Sequence, residues 1–412
     1  MKSVLTSVGA LLLSAAVLLA GGGLMSTLIA VRAQIEGFPV EAIGIMTSAY
    51  FAGFIGGCFG TPHLVKRVGH VRVFAALSSV IAAASLTHAI FLNIPIWIGL
   101  RVLTGFSFAG LYMLIESWIN EQAPNDKRGQ VLSIYRMVDL GAVTVGQFML
   151  NLAGPGEFVL FSLVAILICA AIFPISLSAA KAPAAVTQTS LNLKKLFKTS
   201  PLAVAGCFAV GLANGSFWGV APVFVQQLGH PIVMVSTFMS VVIFSGAVLQ
   251  WPAGFISDKI GRRAVLIISS LGGVGAGLFL WQFAPLSQNM MLIGGALYGM
   301  FAMQVYGMGA AHANDFAEPH EFVAISGGLL LIYGLGSVFG PSTAPILMSQ
   351  YGPSTLFAFT AAVHFILAVY AVYRLFVHRV PKQKTDYVAI PRPRSMNLIL
   401  RADPRIVLKR KK

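Results

Sequence analysis

Acidic residues are scarce in this 412-residue chain: 13 Asp and Glu stand against 28 Lys and Arg, and only 10% of the sequence is charged. A soluble globular domain carries about a quarter charged residues, so an ordinary water-facing surface is excluded. Cysteine is nearly absent too. Cys58, Cys169 and Cys207 all fall in apolar runs without metal-like spacing, so they read as packing residues and define no metal site. Also missing are the phosphate-cradling G-x-x-x-x-G-K-[ST] loop, the H-E-x-x-H zinc helix and the G-x-S-x-G nucleophile turn. These absences argue against an ATP-driven pump and against a membrane enzyme, and no cofactor is expected.

What is present is oil. The chain is 57% hydrophobic, with a mean hydropathy of +0.82. A membrane helix needs roughly 20 apolar residues to cross about 30 Å of hydrocarbon. Charge-poor segments of that length fall at about 4–31, 41–61, 73–91, 95–119, 130–152, 158–180, 201–227, 233–253, 264–284, 290–313, 322–345 and 354–378. The expectation is an all-α membrane protein with twelve transmembrane helices. The first run continues past its glycines to Val31, too long for a signal-peptide core, so a retained helix is expected.

The excess of basic residues has a simple distribution. Eleven lie in the tail from Arg379 to Lys412, and most others sit in short loops on one side: Lys66, Arg67, Arg72, Lys127, Arg128, Lys181, Lys194, Lys195, Lys198, Lys259, Arg262 and Arg263. The opposite loops hold Arg32 beside the acids Glu36, Glu41 and Glu157. This is the positive-inside pattern rather than a nucleic-acid face, and it places both termini in the cytoplasm. The polar, basic stretch after the sixth span reads as a linker. The organisation expected is a six-helix bundle over 1–180, a cytoplasmic linker over 181–200, a second six-helix bundle over 201–378, and a disordered basic tail over 379–412 resting on anionic lipid.

One charged phrase occurs twice. "GFISDKIGRR" (254–263) follows the eighth span, and a blurred copy, "PHLVKRVGHVR" (62–72), follows the second, with Lys66 in the place of Asp258. Repetition at this spacing implies tandem duplication of a six-span unit into two pseudo-symmetric six-helix bundles. The intact phrase resembles the G-x-x-x-D-[RK]-x-G-[RK]-[RK] loop signature of the major facilitator superfamily, and the likeness in topology covers residues 1–380. The pairing of "RVGHVRVFAA" (67–76) with "IESWINEQAP" (115–124) is similar to a bacterial YcaD-type branch. The resemblance implies a transporter whose two bundles rock about a midplane site.

On that resemblance the phrase is a cytoplasmic gate. Gly254 is expected to end a helix at a close backbone approach, with Asp258, Lys259, Gly261 and Arg262 forming the turn. Asp258 would face the basic start of span five, at Lys127 or Arg128. In the first copy Lys66 and Arg67 would face the acidic segment Asp315, Glu318 and Glu321, a charge-swapped clamp; the alternative is that this clamp was lost and the acids face water.

Four charges lie inside spans four and five, where each costs a few kcal/mol unless paired or hydrated: Arg101, Glu116, Arg136 and Asp139. Arg136 and Asp139 are spaced i,i+3 and share a face, so a Glu116–Arg136–Asp139 cluster can form, either as a proton carrier or as a static ion network. "RVLTGFSFAG" (101–110) resembles the span-four signature of facilitator proton antiporters, whose Arg is implicated in proton handling, whereas "DLGAVTVGQF" (139–148) lacks the Gly-Pro that such antiporters carry in span five. Facilitator cavities are lined by spans one, four, seven and ten. That implies Ser26, Thr27 and Arg32, then Asn214, Phe217, Trp218 and Gln226, then Tyr298, Gln304, Tyr306, His312 and Asn314. Asn214, Trp218, Gln304 and Tyr306 are the substrate-cavity candidates. His312 is expected to be solvated near a helix end. The reading is a proton-coupled secondary transporter of a small solute in the cell inner membrane, acting as a monomer, with import by symport and export by antiport both open. A non-transporting receptor or scaffold and a lipid flippase are the rival readings on the same fold.

Overall fold

The computed structural model describes residues 2–122, 128–177, 193–316 and 322–377. All regular structure among them is helical. Two compact units divide the chain. Among the described residues the first holds 2–38, 49–122 and 128–177, and the second holds 39–48, 193–316 and 322–377.

The first unit is built on α1 (Lys2–Ile35), α2 (Val40–Val68), α3 (His70–Ile90), α4 (Ile94–Gln122), α5 (Arg128–Met149), α6 (Val159–Ala170) and α7 (Ile172–Ser176). The last two form one apolar stretch interrupted at Ala171, three residues before Pro174. A proline supplies no N–H and crowds the carbonyl four residues back, which breaks the ladder here. Ser14 of α1 donates its hydroxyl to the Ala171 carbonyl at the break. In this unit α1 packs along α5 and α6, and α3 along α4 and α6.

The second unit comprises α8 (Leu193–Thr199), α9 (Pro201–Gln227), α10 (Ile232–Ile260), α11 (Arg262–Phe283), a 3₁₀ turn (Ala284–Leu286), α12 (Gln288–Ala302), α13 (Val305–Asp315), α14 (Phe322–Tyr351) and α15 (Thr355–Val377). Its pairings parallel those of the first: α9 lies along α14 and α15, and α11 along α12 and α15. The seven-residue α8 falls in the expected linker, whose residues 181–192 and the tail beyond Val377 lie outside the described residues. Span ten, expected to be continuous, is interrupted at Met303 and Gln304 between α12 and α13.

Among the described residues eleven helical stretches are long and apolar enough to cross a membrane. The expected fifth span is not among them, because Arg136, Asp139 and Gln147 make α5 too polar. Large apolar side chains point outward throughout; on α10 Phe244 is 70% and Trp251 78% exposed. Such surfaces are stable only where lipid replaces water, so the chain is a multi-pass membrane protein.

Candidate functional site: buried charges and an ionic end network

Three places gather polar side chains in this apolar frame. The first lies in the first unit, on α4 and its neighbours. Arg101 is 6% exposed, with its guanidinium carbon 4.3 Å from the centre of the Tyr50 ring on α2. A desolvated cation gains about 2 kcal/mol from such a ring face. Its Nε has no hydrogen-bond partner among the described residues. Four turns further along α4, Glu116 is 1% exposed, and the Tyr135 hydroxyl on α5 approaches its Oε1 at 3.5 Å. Asn120 donates to the Glu116 backbone carbonyl at 2.8 Å. Asp139 is buried on α5, and Arg136 half-buried one turn before it. Tyr135, the immediate neighbour of Arg136 and absent from the residues chosen on charge alone, thus reaches Glu116 from α5. Arg101 stands apart from this group, toward the other end of α4.

The second place is the interior of the second unit. Gln304, in the break between α12 and α13, donates Nε2 to the Gly246 carbonyl of α10 at 2.8 Å, while its Oε1 has no partner among the described residues. Asn214 Oδ1 on α9 and the Tyr306 hydroxyl are buried in the same condition. Tyr306 packs edge-on against Tyr333 at 5.4 Å, and half-buried Trp218 against Phe217 at 5.1 Å. Asn214, Gln304 and Tyr306 make no hydrogen bond or ring contact with one another.

The third place is the end of the second unit where the repeated phrase lies. Gly254 does not end a helix, contrary to expectation: α10 continues to Ile260 and stops at Gly261, whose φ of +99° is a conformation L side chains rarely adopt. This turn sets Arg262 at the start of α11, 5% exposed. Its guanidinium pairs with Asp258 Oδ1 at 2.6 Å, lies 3.6 Å from Asp315 Oδ2 at the end of α13, and donates to Ser257. Asp315 is thus a buried partner of Arg262 and not a solvent-facing acid of the following loop; its side chain is 3% exposed. Lys259 folds over the Phe255 ring at 4.3 Å.

His312 also departs from expectation. It is 3% exposed and sits between two partners. Arg263 Nε, which can only donate, lies 3.1 Å from His312 Nε2, so that nitrogen accepts and Nδ1 carries the proton. Nδ1 then donates to Ser200 Oγ at 2.9 Å, and Ser200 in turn caps α9 by accepting from Ala203 N–H at 3.4 Å. The ends of α9, α10, α11 and α13 are stitched together by these side chains. Of the other gate residues, Lys66 and Arg67 are exposed at the end of α2. Lys127, Glu318 and Glu321 lie outside the described residues, as does the side chain of Arg128.

A polytopic helical protein with charges held deep in its spans and an ionic network at one end has features that membrane transporters share. The Major Facilitator Superfamily profile matches residues 10–320 and 234–408, and the chain belongs to that family. It is 28% identical over 360 residues to the uncharacterized MFS-type transporter YcaD of Salmonella heidelberg, covering 87% of this chain and 92% of that one. The YcaD protein of Salmonella arizonae is 27% identical over the same span. Among solved structures it is similar to the nucleoside transporter NupG, with a TM-score of 0.77 at 15% identity over 90% of this chain and 99% of that one. A bacterial homologue of the lysosomal transporter Spinster, inward-facing and occupied, gives 0.74 at 14% identity over 89% and 96%. At such identities the structural likeness carries the fold alone.

Proposed function

We propose that the protein is a proton-coupled secondary transporter, moving a small solute across the cell inner membrane by alternating access of two six-helix halves, as a monomer with both termini cytoplasmic. Family membership supports the transport reading over a receptor, scaffold or flippase. The observation that carries proton coupling is the buried carboxyl group of Glu116 with a phenol at its Oε1 and Asp139 buried on the facing helix. A carboxyl group in that setting can take up a proton when one face opens and release it when the other does. The solute would satisfy the open oxygens of Asn214 and Gln304 and stack on Trp218 or Tyr306. NupG's nucleosides do not transfer to this chain at 15% identity.

The test is a thermal-shift screen of the purified protein against small metabolites and drugs across pH, followed by uptake of the hit into proteoliposomes under an imposed pH gradient. Glu116→Gln and Asp139→Asn should each abolish acceleration by the gradient. Gradient-driven uptake that survives both substitutions removes the coupling proposal. The charge-swapped clamp belongs to the same reading: Lys66→Glu should slow uptake, and Glu318→Lys or Glu321→Lys should restore it in the double variant.

A further inference from the structure

The two copies of the charged phrase align residue for residue, and the comparison gives the spoiled copy a chemistry of its own. α2 and α10 each run 29 residues and each ends at a glycine with positive φ, Gly69 at +84° and Gly261 at +99°. His70 therefore stands where Arg262 stands, and Lys66 where Asp258 stands. The helices opposite keep the same spacing in sequence, although span ten breaks at Met303 and Gln304 where α4 runs on. A Cβ on Gly105 would overlap the Tyr50 carbonyl of α2, and one on Gly299 the Val242 carbonyl of α10. Sixteen residues beyond each of those glycines lie Glu121 and Asp315, each preceded by an asparagine. By sequence position Glu121 is the first unit's counterpart of the acid that Arg262 pairs with, exposed where the Asp315 side chain is buried.

His70 is 5% exposed, and its Nε2 has no hydrogen-bond partner among the described residues. It lines a small recess of about 10 Å³, room for one water molecule, together with Thr61, Pro62, Val65, Met113, Leu114 and Ser117. Thr61 Oγ1 and Trp118 Nε1, whose ring centre is 5.5 Å from His70, are likewise buried without partners. Val65 of that recess is the counterpart of Ser257, which accepts from Arg262. The recess lies where the second unit has a guanidinium, with an imidazole at its wall.

We propose that His70 is a proton-binding site, the titratable counterpart of Arg262, and that its imidazolium pairs with Glu121. The proton comes from bulk water through the recess to Nε2. The neighbouring charges fix the direction of the response. On α2 these are Lys66 and Arg67, with His63 and Cys58; on α3 itself, Arg72; on α4, Glu116 and Glu121, with Arg101 toward the far end. α6 and α7, which pack against α3, carry only Cys169. Lys66 lies four residues before His70, across the Gly69 turn, so a proton on His70 adds a second positive charge where the second unit has the Asp258–Arg262 attraction. Protonation therefore loosens α3 from the end of α2 and ties it to α4, whereas Arg262, a guanidinium, ties α11 to both α10 and α13.

The test uses the full-length protein in proteoliposomes on a solid-supported membrane, with a step in pH as the only stimulus. The wild type should give a transient charge displacement on acidification with one component that is lost in His70→Gln. His70→Arg should lose the same component while keeping a folded, monodisperse elution profile and a thermal midpoint that no longer shifts with pH across the histidine range. Glu121→Gln should lessen the component. The proposal stands apart from proton coupling at Glu116 and Asp139: the Glu116→Gln, Asp139→Asn double variant should keep the His70 component even where transport coupling is gone. Equal charge displacement in the wild type and in folded His70→Gln overturns it.

Discussion

The side chain carrying most of the second unit's end network is Arg262, and its surroundings predict an order of losses. Removing Arg262 takes a cation from Asp315, whose side chain is 3% exposed, whereas removing Asp258, whose side chain is 40% exposed, leaves an arginine still facing Asp315. An uncompensated buried charge costs about 3–5 kcal/mol, while an exposed ion pair contributes about 1 kcal/mol or less. Thermal unfolding in detergent should therefore rank Arg262→Ala well below Asp315→Asn, with Asp258→Asn closest to wild type. A ranking with Asp258→Asn the most damaging would mean that Asp258 holds a partner beyond Arg262. Sequence gave the charges at this end but not their pairing, because the partners converge from Asp258, Arg262 and Asp315, and nothing local marks Asp315 as folded back on α11. The burial of His312 is hidden from the sequence for a related reason. A histidine near a helix end reads as solvated, yet Arg263 and Ser200 enclose it from α11 and from the cap of α9.

At the scale of helices, apolar run length located the spans, and the duplication is visible in the side chains that join them. On α5 the Gly146 backbone meets the Ala20 carbonyl of α1, and on α14 the Gly336 backbone meets the Phe208 carbonyl of α9. The next residue in each case bonds the carbonyl one turn on: Gln147 Nε2 to Gly23 at 3.1 Å and Ser337 Oγ to Gly211 at 3.3 Å. Close glycine contacts of this kind let membrane helices gain packing and hydrogen bonds where no hydrophobic drive acts between them. Gly146→Ala and Gly336→Ala should each lower the thermal midpoint by several degrees, since the obstacle is backbone. Gly141→Ala on the same α5, with open space around it, should raise stability by about 0.5–1 kcal/mol. Equal effects at Gly141 and Gly146 would deny the close approach. The interruptions escaped the hydropathy reading: Pro174 was hidden in a run of isoleucine and leucine, and the turn at Gln304 contains no proline at all. It coincides with a tie from Gln304 to α10 that only the tertiary fold supplies.

For the whole molecule, the number of crossings decides on which side of the membrane each end of the chain lies. Eleven stretches satisfy length and apolarity, and α5 falls short because it carries Arg136, Asp139 and Gln147. Those same residues are buried or half-buried within the first unit, Gln147 against Thr27 at 2.6 Å and Asp139 at 4% exposed. A polar helix shielded by its own unit can cross the bilayer, because internal partners satisfy the groups that lipid cannot. If α5 crosses, twelve spans put both termini on one face; if it does not, eleven put them on opposite faces. The basic loops assign the shared face to the cytoplasm. Fusions of a cytoplasm-active fluorescent protein and of a periplasm-active phosphatase, each placed at either terminus, decide the matter. Fluorescence at both ends with phosphatase activity at neither is expected, and a phosphatase inserted near Gly154, between α5 and α6, should be active. Activity at the C-terminus instead would remove α5 from the membrane and, with it, Asp139 and the Tyr135 hydroxyl at Glu116 on which the proton path depends.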